Sequence, residues 1–208
     1  SARPSLAFSG TLQRYMVART VWALGYQIAA PFYAVYIVKN LGGNESTVGL
    51  LSSAGSVAAV LGLFLLGRAV DRYGLRRAWL VSATMEAVIP WLWAVSPSAW
   101  FALLPSAADG LLMSGLQLVN LNTLLVLTSE DNRTQFAGVN SAILSVAALV
   151  GPLAGGALSD LVGFTPVFLL SGSLTLVGCA LYYIYVPESV LWMREAQKQV
   201  LEQVVRDG

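Results

Sequence analysis

The sequence predicts an all-α integral membrane protein: a bundle of six transmembrane helices followed by an amphipathic helix at the membrane surface. Three observations carry this. First, 56% of the residues are hydrophobic and only 11% are charged, with a mean hydropathy of +0.67; a soluble domain carries about 25% charge. Second, the apolar residues gather into six runs, 20–38, 47–67, 78–95, 99–127, 136–158 and 164–186. Each approaches or exceeds the ~20 residues that cross a bilayer core. Third, the basic residues fall almost entirely on alternate loops.

Residues 1–19 are read as a cytoplasmic N-terminal segment carrying Arg3, Arg14 and Arg19. The apolar run that follows is too long for a signal peptide, so it reads as an uncleaved first helix, and the start at Ser1 reads as a processed or excised product. Pro31 is expected to kink this helix. Spans two and three are joined by a Gly-punctuated charged stretch from Gly67 to Arg77, read as a tight turn. Span four is long for one crossing and is expected to tilt or extend beyond the membrane. The run Glu130-Asp131-Asn132-Arg133 reads as the loop before span five. The bundle thus covers 20–187. In 188–208, Val190, Met193, Ala196, Val200, Leu201, Val204 and Val205 share one half of a helical wheel and Glu195, Lys198, Glu202 and Arg206 the other. That is the pattern of an interfacial helix.

Charge sets the orientation. Eleven of the twelve basic residues, all but Lys39, lie on the side that holds both termini, the Asp71 stretch and the Glu130 run. The positive-inside rule makes that side cytoplasmic. An even number of spans also puts both termini on one side. Aromatic residues near the expected boundaries are read as headgroup anchors: Trp91, Trp93, Trp100 and Phe101 outside, Trp79, Tyr182, Tyr183 and Tyr185 inside.

Composition also excludes function classes. There is no His and one Cys, Cys179, read as a small buried hydrophobe. This removes disulfides within the chain, Cys/His zinc sites and His-dependent triads. Net charge is +1, so nothing points to nucleic acid as a partner. No Gly-rich nucleotide loop follows a strand. No enzyme activity and no cofactor are implied.

The polar residues inside the spans are the candidate site. In span four, Ser106, Asp109, Met113, Gln117 and Asn120 fall within roughly an 80° arc at 100° per residue. Lipid does not tolerate such a stripe, so it faces protein or water. In span one, Arg19, Trp22, Tyr26 and Tyr33 share a second narrow face. Asp109 and Glu86 lie about eight to ten residues from a span end, roughly 12–15 Å deep. An unpaired charge there costs at least ~2.5 kcal/mol, so each is paired, protonated or hydrated. The aromatic and neutral polar lining suits a neutral, amphipathic or sugar-like molecule.

Two motifs carry a family resemblance. Gly67-x-x-x-Asp71-Arg72-x-Gly74-x-Arg76-Arg77, between spans two and three, resembles the cytoplasmic loop signature of the major facilitator superfamily, with Leu75 where an Arg is usual. In span five, Gly138, Ala147 and Gly151-Pro152-x-x-Gly155-Gly156 resemble that superfamily's antiporter motif, with Ala147 replacing a Gly. Such small residues suit close helix packing.

The resemblance implies a 3+3 inverted repeat in one six-helix bundle. It implies a conformational latch at Gly67, Asp71, Arg72, Gly74 and Arg76, and a helix-packing motif at Gly138, Gly151, Pro152, Gly155 and Gly156. Spans one and four would line the central cavity. Ser106, Asp109, Gln117, Asn120, Tyr26, Tyr33 and Glu86 would then form the substrate or proton pathway. The antiporters carry an Arg in span four that this sequence lacks, which places drug/proton antiport in question. The superfamily also transports with two such bundles. The resemblance therefore implies half of a secondary transporter in the inner membrane, moving a small organic solute with ion or proton coupling. Its partners would be the bilayer, the solute and a second six-helix bundle, from another copy or another half. The alternative is a membrane binding or assembly module that keeps the fold without transporting. Pro187-Glu188-Ser189 resembles a sugar-porter stretch after span six and favours an N-terminal half. The missing Met and span-four Arg favour a C-terminal half, and the sequence leaves that choice open.

Overall fold

The computed structural model describes residues 10–128 and 130–186. Within them the chain forms α1 (Gly10–Ala29), a 3₁₀ turn (Ala30–Phe32), α2 (Tyr33–Lys39), α3 (Glu45–Tyr73), α4 (Leu75–Ala94), α5 (Leu103–Leu127), α6 (Glu130–Val162) and α7 (Phe164–Tyr185), with no strand. The first three elements run end to end, giving six helical rods among the described residues. The expected surface helix at 188–208 lies outside the described residues.

Four stretches are long and apolar enough to cross a membrane: Leu12–Lys39, Glu45–Tyr73, Arg133–Val162 and Phe164–Tyr185. Helices α4 and α5 form where spans three and four were expected. Arg76, Arg77 and Glu86 in α4, and Asp109, Gln117 and Asn120 in α5, place polar groups along these two helices.

Several local expectations change. Helix α1 begins by Gly10, ten residues before the apolar run, so the boundary at residue 19 falls inside a helix. Leu12, Tyr15, Met16 and Ala18 are buried. The interspersed arginines hide this apolar face from a hydropathy reading. Pro31 breaks the first rod as expected: it sits in the 3₁₀ turn, because its ring crowds the preceding turn and it has no N–H to donate. Residues 130–133 are the first turn of α6, not a loop. Helix α6 runs unbroken through Pro152. The stretch from Gly67 to Arg77 is also helical on both sides of a single turn residue, Gly74, at φ +81°. A side chain there would force a backbone conformation that L residues disfavour. The same device recurs at Gly163, φ +82°, between α6 and α7.

The two closest helix pairs are α3 with α5 and α1 with α7. Helix α4 packs against α5 and α7, and α1 also packs against α6. Two aromatic clusters fill the interior. Near the Gly74 end, Trp79 stacks on Tyr182 with ring centroids 3.8 Å apart, edged by Tyr15 and Trp22. At the other end, Tyr33 stacks on Trp93 at 4.7 Å, and Tyr36 and Phe168 meet edge to face. Trp79, Trp93 and Tyr182 are therefore core residues, correcting their reading as headgroup anchors. Trp100 and Tyr183 remain exposed. Cys179 is buried and free, as expected.

The outside is apolar. Val57, Val60, Leu61, Phe64 and Leu65 on α3, and Val146, Leu149, Val150 and Leu153 on α6, are all exposed. A surface of this kind is stable against lipid or a partner helix and not against water.

Candidate functional site

The α5 stripe opens onto two adjoining cavities. The first, about 530 Å³, lies between the first rod, α3 and α5, and its walls include Tyr33, Ser52, Ser56, Ser106, Asp109 and Gln117. The second, about 460 Å³, lies between α1, α5 and α6, with Arg19, Trp22, Tyr26, Gln117, Asn120 and Asn140 in its wall. Met113 and Gln117 line both. The two faces read from the sequence, one on span one and one on span four, thus meet across open space. A helical spacing shows which residues share a face, and the packing of α1 on α6 and α7 and of α5 on α3 and α4 sets those faces on opposite sides of the cavity.

Within this space the Tyr26 hydroxyl donates to Asp109 Oδ1 across a long 3.4 Å. Trp22 stacks on Tyr26, 5.8 Å between centroids and 3° between planes. Glu86, on α4, is 1% exposed and lines neither cavity. Both its oxygens are buried and meet no described group in well-directed hydrogen-bond geometry, although the Asp109 carboxyl lies within side-chain hydrogen-bonding reach. Asp109 is also its electrostatic neighbour. Two carboxyls from adjacent helices therefore sit close together, one in the cavity wall and one behind it. The Tyr33 hydroxyl is also buried and unpartnered.

Asn120 has a structural task. Its Oδ1 accepts from Trp79 Nε1 at 2.7 Å and from the Tyr15 hydroxyl at 3.2 Å. This ties α5 to α4 and α1 through a buried polar group that needs such partners.

The residues expected to form a latch lie at one end of the bundle. Asp71 and Arg72 are exposed on the last turn of α3, with the Arg72 guanidinium 5.3 Å from the centre of the Tyr73 ring. Arg76 is engaged differently. Its Nε donates to Val186 O at 2.7 Å and its Nη2 to Tyr183 O at 2.9 Å. These carbonyls end α7, where backbone acceptors lack partners and a positive charge is favourable. Arg76→Gln is expected to destabilise the fold by about 1–3 kcal/mol, read as a lower midpoint in thermal unfolding of the detergent-solubilised protein; Arg76→Lys should recover part of it.

The packing motif divides. A Cβ at Gly151 would meet Gln27 at 2.6 Å, and one at Gly155 would meet Ile28 and Phe32 of the first rod. A Cβ at Gly156 would make only ordinary contact with Phe32, and Gly138 faces open space. Only the second half of the motif packs helices together.

The sequence reading overlooked a tighter seam. Gly55, Gly62 and Leu66 on α3 face Gly110, Leu111 and Gly115 on α5 so closely that an added Cβ at Gly62, Gly110 or Gly115 meets the opposite helix. Ser114 Oγ also donates across the seam to Ala59 O at 2.8 Å. The clustering of small residues from Ser52 to Gly62 was the available signal. Asn140, which accepts from Arg19 Nε at 3.1 Å, carried no such signal.

Chemically, the cavities offer carboxyl, hydroxyl, amide and aromatic groups that bind and orient. Among the described residues no cluster of His, Cys, Asp or Glu is placed to hold a metal. The arrangement is a pair of polar-lined cavities within an apolar helix bundle. The profile of the Major Facilitator Superfamily matches residues 15–208. The chain is 30% identical over 176 residues to the "Multidrug resistance protein MdtG" of Dickeya zeae (strain Ech586), covering 82% of this chain and 42% of that protein. It is 31% identical over 179 residues to the protein of that name from Salmonella arizonae, covering 78% of this chain and 42% of that one. The chain thus spans about two fifths of the length of these relatives. The chain belongs to the Major Facilitator Superfamily.

Proposed function

We propose that this chain is one six-helix half of a secondary transporter, moving a small organic solute by alternating access with proton or ion coupling. The observation that carries it is the α5 polar stripe opening, with Asp109, onto cavities against α1. A non-transporting assembly module would bury that stripe. The relatives' naming as multidrug resistance proteins favours amphipathic organic solutes. The pathway residues are Ser106, Asp109, Gln117, Asn120, Tyr26 and Tyr33, with Glu86 behind them.

All six rods cross the inner membrane in this reading, with both termini cytoplasmic, and the second wall comes from another six-helix bundle. An inverted repeat is supported by two features. Exchanging the first, second and third rods for the fourth, fifth and sixth maps α3·α5 onto α1·α6, and α1·α7 onto α4·α5. The turns also match: Gly67-x-x-x-Asp71-x-x-Gly74 and Gly156-x-x-x-Asp160-x-x-Gly163 share spacing, and each ends in a positive-φ glycine.

Native mass spectrometry of the purified protein should give a complex holding two bundles. Vesicles of that complex should then move a fluorescent lipophilic dye when a proton gradient is imposed. A lone monomer without gradient-driven flux would overturn the reading in favour of an assembly module.

A further inference from the structure

We propose that the cavity between α1, α5 and α6 binds the anionic group of a planar organic monoanion, an aromatic carboxylate, through Arg19. The inference rests on the transporter reading and names a solute class for this part of its cavity.

Arg19 is 7% exposed, yet it lies in the cavity wall. Its Nε donates to Asn140 Oδ1 at 3.1 Å, which fixes the plane of the guanidinium. Its Nη1 is buried with no hydrogen-bond partner among the described residues. No carboxylate lines this cavity among those residues. Asp109 belongs to the adjoining cavity, eight residues and so about 12 Å from Gln117 along α5. Tyr15, on its own helix, is an ionisable neighbour of Arg19 among the described residues.

A guanidinium held away from water with an unused donor is costly unless an anion completes it. Its planar fork matches a carboxylate. Asn140, the side chain that engages it among the described residues, is neutral and leaves the charge uncompensated. A single cation balances a monoanion and poorly suits a phosphate dianion. The remaining wall decides the rest of the ligand. The stacked Trp22–Tyr26 pair gives a flat aromatic surface, Leu121 and Leu144 are apolar, and Gln117 supplies an exposed amide. A volume of about 460 Å³ admits a fused two-ring acid.

The test uses the full chain in phosphatidylcholine nanodiscs, with 1-naphthoate and its neutral analogue 1-naphthamide as probes and tryptophan fluorescence as the readout. The wild type should bind naphthoate tighter than naphthamide by about tenfold or more, the scale of one charge-assisted pair. Arg19→Gln should abolish that preference while leaving naphthamide affinity unchanged. Asn140→Asp supplies an internal counter-ion to Arg19. It should therefore also abolish the preference, while raising the thermal midpoint, and so tests the idea even if Arg19→Gln fails to fold. Equal affinity for the two probes, no naphthoate binding, or a preference that survives Asn140→Asp in folded protein would overturn the proposal. Loss of naphthoate binding with gradient-driven dye flux intact removes only this subsite. Absence of flux with naphthoate binding intact removes the transporter reading instead.

Discussion

Asp109→Asn is expected to lower gradient-driven flux at least about tenfold while leaving thermal stability within about 1 kcal/mol of the wild type. The amide has nearly the same shape as the carboxyl and still accepts the Tyr26 hydroxyl that reaches Asp109 at 3.4 Å. Packing around α5 is therefore preserved. What is lost is the ability to gain or lose a proton in the wall of the larger cavity. Coupling requires a group whose charge changes while it faces the transport path, and membrane carboxylates commonly serve this way. Glu86→Gln is the control, because Glu86 lies behind the wall and lines neither cavity. Its flux should stay within a few-fold of wild type. If Glu86→Gln abolishes flux and Asp109→Asn spares it, the coupling group is on α4 and the role assigned to the α5 stripe is wrong. The pH dependence of flux gives a second readout: it should flatten in Asp109→Asn and persist in Glu86→Gln.

Gly110→Leu should have the largest structural effect, a destabilisation of about 3 kcal/mol or more, measured by denaturant titration in mixed micelles. Any Cβ at this position meets the backbone of Gly55 on α3, with the Gly55 Cα at 2.8 Å. Backbone cannot rotate away as a flexible side chain does, so the helices must separate. Separation also sacrifices the Ser114 bond to Ala59 and the seating of Leu66 against Gly115. In lipid there is no hydrophobic drive to compensate, since helix association depends on close packing and interhelical bonds. Gly138→Leu makes the contrast. Nothing lies within 4 Å of a Cβ there, so it should change stability by less than about 0.5 kcal/mol, although the sequence motif treats Gly138 as one of its members. Equal effects at the two positions would mean that the α3–α5 seam does not hold the bundle together.

The twin turns at Gly74 and Gly163 show how much a sequence holds that a single pass misses. The Gly-x-x-x-Asp-x-x-Gly spacing is present twice. The second copy is inconspicuous because Leu161, Thr165 and Pro166 stand where the first has Arg72, Arg76 and Arg77. The backbone places both glycines at φ near +80°.

The sequence by itself determined that this is a helical membrane protein, where most of its helices lie, that Pro31 interrupts the first rod, and which polar residues share a face. These follow from quantities that add along the chain: transfer free energy over a window, fixed helical periodicity, and the backbone limits of Pro and Gly. Only the tertiary structure decided the rest. It placed Trp79, Trp93 and Tyr182 in the core rather than at the headgroups. It gave Asn120 to Trp79 and Tyr15, drew Arg76 onto the end of α7, and left Arg19 Nη1 without a partner among the described residues. Each of these outcomes depends on which rods lie side by side and at what rotation. That is fixed by close contacts between residues far apart in sequence, such as Gly55 with Gly110, and no window along the chain contains both.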